Sequence, residues 1–235
     1  MIYIAIGFVL GFTIPFLARR FSKIMIQTPT MAYALYRIFK INKSVSREKR
    51  LKNHKYLHLR NRYFMRSLGW GIISSAILFL TSTATPSSEM PWLTFFIMTL
   101  LVLAEIDKRI QYLPDILTSP LLILGFAHAV FSTSFLGSTI IEATQNSALG
   151  AIYGYFLPVI ASLLLIKKHP DNFGGGDIKI LAAVGAWLGV ENIPFVILLS
   201  CLFFAISLFI TKKRQAAFGP SIVFASLFIL FFLIY

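Results

Sequence analysis

The chain has 235 residues, of which 57% are hydrophobic and 13% charged, where soluble domains carry about a quarter charged residues; its mean hydropathy is +0.77. No water-soluble core buries that much apolar surface, so lipid must solvate most of the chain. The net charge of +13 would suit a nucleic-acid partner, but the basic residues alternate with apolar runs, as in membrane proteins, and nucleic acid is rejected as the main partner.

In chain order, the first apolar run covers about 2–18. It has no leading basic segment and no small-residue cleavage signal, and is expected as a retained transmembrane helix rather than a removed signal peptide. Residues 19–66 follow with 14 Lys and Arg and one acid, Glu48. The part 44–66 is expected to lie as a helix on anionic lipid headgroups. Apolar runs at about 67–85, 92–107, 116–135, 147–166, 178–190, 193–211 and 220–235 complete eight predicted spans. The expected fold is therefore an all-α polytopic membrane protein of about eight transmembrane helices. Its parts are a first helix (1–18), a basic cytoplasmic loop (19–66) and a membrane-embedded domain (67–235).

Orientation follows from the basic residues. With an outer N-terminus, the inner segments are 19–66, 108–115, 167–177 and 212–219. All 22 Lys and Arg lie in them, or in the case of Lys179 two residues beyond one. So complete a bias predicts both termini on the outer, periplasmic side. The lone cysteine, Cys201, sits in an apolar run and reads as a small hydrophobe. Without a Cys-x-x-Cys pair there is no cysteine-based zinc site, and no metal ligand set is assigned.

Ionisable groups within a membrane are costly and mark function by default. Of the nine acids, Glu89, Glu142 and Glu191 fall in outer loops, Glu48 in the basic segment and Asp171 in a turn; these five read as solvated charges. Glu105 is two residues from Asp107, so it faces elsewhere and is expected to meet Lys108 or Arg109. Asp115 follows Pro114 and opens a span, where it reads equally as a helix cap or as a direct participant. Asp107 lies fifteen residues past Trp92, about 22 Å at 1.5 Å per residue, and Asp177 lies about 21 Å from Glu191 by the same rise. Both fall short of a hydrocarbon core of about 30 Å, so both carboxylates sit a little inside the inner boundary.

Gly174, Gly175 and Gly176 precede Asp177. Glycine permits positive φ and close backbone approach, and the triplet is expected to unwind the chain where water and an extended peptide enter. Two neighbouring carboxylates can hold one proton between them, one activating water and the other polarising a peptide carbonyl. No Ser–His or Cys–His arrangement competes. The helix ends assign the anion to Asp177 and the acid to Asp107. The competing reading is a proton- or cation-coupled transporter using the same carboxylates; against it, both aspartates lie at one membrane edge rather than at the midplane.

The stretch Asp107-Lys-Arg-Ile-Gln-Tyr-Leu-Pro114-Asp115-Ile-Leu-Thr118-Ser-Pro120 resembles the first signature of bacterial type IV prepilin peptidases. Gly174-Gly-Gly176-Asp177-Ile-Lys179 resembles their Gly-x-Gly-Asp signature, and Phe218-Gly219-Pro220 a further family feature. The resemblance implies an aspartic endopeptidase of the bacterial inner membrane, with Asp107 and Asp177 catalytic and facing the cytoplasm. Gly174, Gly175, Gly176, Asp115 and Lys179 are the expected site-shaping or substrate-binding residues. The implied substrates are prepilins or pseudopilins with a basic leader and an apolar helix, and the peptidase needs no cofactor. Many family members also N-methylate the new N-terminus with S-adenosylmethionine and carry two zinc-binding Cys-x-x-Cys pairs. This chain lacks those pairs, which removes zinc and leaves methylation an open alternative.

Overall fold

A computed structural model describes residues 2–27, 54–132, 136–165, 174–211 and 216–235. The described residues form eight helices: α1 (Ile2–Gln27), α2 (His54–Ala84), α3 (Met90–Ile110), α4 (Asp115–Phe131), α5 (Ile140–Leu165), α6 (Gly175–Leu188), α7 (Ile193–Thr211) and α8 (Gly219–Ile234). The chain is an all-helical polytopic membrane protein. Five helices are long and apolar enough to cross a bilayer by length and composition, and α4 and α8 are shorter apolar helices. The short α6 has 14 residues, about 21 Å at the α-helical rise.

The helices overrun the sequence-expected boundaries where the basic segment begins and ends. The helix α1 continues nine residues past 18, and α2 starts at His54 rather than near 67. A membrane-spanning helix propagates into polar sequence because its backbone bonds are already nucleated. Residues 54–66 are thus the start of one continuous helix rather than a separate one; the rest of the expected surface helix, 44–53, lies outside the described residues.

Two compact units divide the chain, Met1–Thr83 and Ala84–Tyr235. In the first, α1 and α2 approach through small residues. The Ser74 hydroxyl donates to the Gly7 carbonyl at 2.7 Å and that of Ser75 to Ile4 at 2.8 Å, which supplies interhelical hydrogen bonds where lipid offers none. The Arg19 guanidinium lies 4.7 Å from the Tyr63 ring centre, a cation–π contact.

In the second unit α6 packs between α5 and α4, while α3 packs against α8 and α4. The core is the inner face of α3 with Trp187 of α6: Phe96, Leu93, Ile97, Leu100 and Ile106 are fully buried, and Phe96 stacks on Trp187 at 4.8 Å. The Trp187 indole N–H donates to the Leu121 carbonyl of α4 at 2.7 Å. By contrast α7 leaves Leu198, Phe209 and Ile210 exposed, as a lipid-facing helix does. Between α5 and α6, Gly150 and Gly185 bring their backbones into contact. Gly189 ends α6 at φ 83°, a conformation glycine adopts without a Cβ penalty.

Candidate active site

Asp107 stands in the last turn of α3, three residues before its end, and Asp177 in the first turn of α6. Burying the inner face of α3 carries Asp107 inward to 4% exposure. The two helices run in opposite directions, so their sequence-distant ends meet. A cavity of about 340 Å³ opens there, lined by both aspartates. Asp115, Gly174, Gly175, Gly176 and Lys179 line it as well, so all seven residues singled out from the sequence reach one site.

The local reasons differ for each. Gly174 is extended, at φ −66° and ψ 140°, and its carbonyl accepts the Asp177 N–H at 3.0 Å, starting α6. Gly175 and Gly176 are already helical. The expectation of an unwound, positive-φ glycine stretch is therefore corrected: among the described residues only Gln111 and Gly189 have positive φ. What Gly174 and Gly176 provide is proximity. A Cβ on Gly176 would lie 2.8 Å from that of Leu113, and one on Gly174 3.1 Å from Asp177 Oδ2. Packing against the connector between α3 and α4 thus asks for glycine at 176, whereas a Cβ on Gly175 would meet nothing within 4 Å.

Asp115 is also reassigned. Pro114 is the N-cap of α4 and makes no side-chain cap bond; Asp115 lies inside the first turn and accepts the Lys179 ammonium at 2.6 Å. With side chains 35% and 50% exposed, this ion pair contributes little to stability and instead fixes two charges at the cavity. Glu105 does turn away from the site, pairing with Arg109 at 2.8 Å while itself buried.

Several features escaped the sequence reading. Gln111, Tyr112 and Leu113 line the cavity. Gln111 adopts left-handed φ 52° and caps α3, donating its N–H to the Asp107 carbonyl at 2.8 Å. Across 112 residues the Gly219 N–H donates to Asp107 Oδ2 at 2.8 Å. This removes the helix-end basis for assigning anion and acid: Asp107 ends α3 but faces the amino end of α8, as Asp177 sits at the amino end of α6, so the dipoles no longer separate the two. Glu89, expected as a solvated loop charge, is 6% exposed; it pairs with His128 Nε2 at 3.0 Å and accepts the Ser132 hydroxyl. These partner side chains, 39 and 43 residues away, help make that burial tolerable. Among the described residues, no three His, Cys, Asp or Glu side chains converge as metal ligands.

The family model described as the type IV leader peptidase family matches residues 94–210. The prepilin leader peptidase/N-methyltransferase of Neisseria gonorrhoeae is 36% identical over 139 residues, covering 56% of this chain and 46% of that protein. The protein of the same name from Escherichia coli (strain K12) is 32% identical over 161 residues, covering 66% of this chain and 68% of its own. That from Vibrio cholerae is 29% identical over 175 residues, with 72% and 65% covered. The chain thus spans between about half and two thirds of these relatives. No solved structure matches it.

Proposed function

The chain belongs to the type IV leader peptidase family, and from that membership we propose that it is a membrane-embedded aspartic endopeptidase that removes the basic leader of prepilins or pseudopilins. The observation that carries the reading is that Asp107 and Asp177, from two antiparallel helices, line one cavity. One carboxylate takes a proton from a water, which attacks the scissile carbonyl; the other carboxyl gives its proton to the carbonyl oxygen, and collapse of the tetrahedral intermediate sends a proton to the leaving amine. This chemistry needs no cofactor. Gly174, Gly175, Gly176, Asp115 and Lys179 shape the entrance, with Lys179 and Asp115 as its charged rim.

The site opens to the cytoplasm in this reading, because the basic residues flank the cavity end of these helices, and the membrane is the bacterial inner membrane. The basic segment 19–66 apposes anionic lipid. The relatives named above give the transporter alternative no support. Their names do include N-methyltransferase, and this favours N-methylation by S-adenosylmethionine as a second activity.

The test is co-expression with a prepilin. Asp107→Asn and Asp177→Asn should each lower leader removal by at least about 100-fold, the lower end of what a general acid or base contributes. A gel shift reads the cleavage, and the mass of the new N-terminus reads methylation. Undiminished processing by both variants would sink the peptidase assignment.

A further inference from the structure

The amino end of α8 presents one backbone donor to the site. Pro220 has no N–H, and the N–H groups of Ser221 and Ile222 are spent on the Phe218 carbonyl at 2.9 and 3.2 Å. The Gly219 N–H remains, and it donates to Asp107 Oδ2 at 2.8 Å, in a buried contact. The segment has no easy retreat: the Phe218 ring stands edge-on to Phe204 of α7 at 5.2 Å, and Gly219 itself is buried. A Cβ placed on Gly219 would lie 2.6 Å from Asp107 Oδ2, 2.9 Å from Cγ and 3.1 Å from Cβ. All three are atoms of one side chain.

We propose that Gly219 is a positioning residue for the peptidase reaction: its N–H holds Oδ2 of Asp107, and only a residue without a side chain lets α8 come close enough to do so. This rests on the reading of Asp107 as catalytic and deepens it. With Oδ2 engaged, Oδ1 is the oxygen left to meet a water or the substrate carbonyl in the cavity. The orientation of the carboxyl is then set by the main chain of a helix rather than by a side chain with rotamers of its own. Such a donor costs nothing to reorganise during the reaction.

The test uses the full chain in detergent with a purified prepilin. Gly219→Ala should lower kcat by about 100-fold, the scale of a displacement of about 1 Å at a reacting group, and leave KM within about twofold, because leader binding is not touched. Gly69→Ala, where a Cβ meets nothing within 4 Å, should behave as the wild type. A Gly219→Ala enzyme with kcat within about threefold of wild type, or one altered only in KM, overturns the proposal. If Gly219→Ala is too unstable to assay, thermal unfolding in the Asp107→Ala background decides. The alanine should lower Tm by about 2–4 °C or more when Asp107 is present, and by much less when its carboxyl is gone. Equal losses in both backgrounds reject the contact. Full cleavage by Asp107→Ala would instead reject the catalytic reading of Asp107, while the stability cycle still reports on Gly219.

Discussion

Gln111 shows how a single residue carries cost beside the site. A non-glycine residue in the left-handed region costs roughly 1–2 kcal/mol, and here it closes α3 one turn after Asp107. Gln111→Gly should therefore raise Tm or leave it unchanged, whereas Gln111→Val, β-branched, should lower it by a few degrees, on the scale of about 2–4 °C per kcal/mol; scanning fluorimetry in detergent separates the two. The rim charges make a second residue-level case. Asp115→Asn and Lys179→Met each leave a partner uncompensated, and both should change KM more than kcat. The double variant should lie nearer the wild type than the sum of the singles, since charges in contact couple. Additive effects in leader-cleavage kinetics would show that the ion pair is incidental.

At the scale of elements, two devices hold the helices that carry the aspartates. One is the glycine contact of α5 and α6, where the Gly150 and Gly185 backbones touch and a Cβ on Gly154 would run into the Leu181 carbonyl. Membrane helices rely on such close packing because lipid tails are as apolar as the side chains they would displace. Gly150→Leu should wedge α5 from α6 and cost stability well beyond the about 1–3 kcal/mol of ordinary overpacking, read as loss of folded protein after membrane extraction. The other device is polar. Glu89 precedes α3, His128 lies near the end of α4, and His128 stacks on Trp187 of α6 at 5.0 Å. The ends of three helices opposite the cavity are tied by that chain of contacts. His128→Ala removes a partner of a buried carboxylate and should cost about 1–3 kcal/mol from the lost hydrogen bond, with the lost ring stack in addition. Glu89→Gln keeps the volume and should cost less, and thermal unfolding orders the two.

Over the whole molecule, the proposed orientation is open to direct test. In a Cys201→Ser background, Gln111→Cys at the cavity should resist a membrane-impermeant maleimide in intact cells. Glu191→Cys, in the turn after α6, should react. The reverse pattern would invert the topology that the basic residues suggest.

Hydropathy and charge alone determined that this chain lives in lipid and forms about eight helices, because both are sums over local runs that survive without knowing any contact. The same local arithmetic isolated Asp107 and Asp177, since an acid in an apolar run is visible one residue at a time. Folding decided matters that no local pattern encodes. Glu89 looked like a loop charge and is buried, because its partners lie 39 and 43 residues away. The triple glycine looked like loose backbone, yet Gly175 and Gly176 begin a helix and Gly176 packs on Leu113. Asp107, read as ending one helix, faces the beginning of another that starts 112 residues later. In each case a polar group in an apolar medium must find its partner inside the protein, and only the tertiary structure says which one it is.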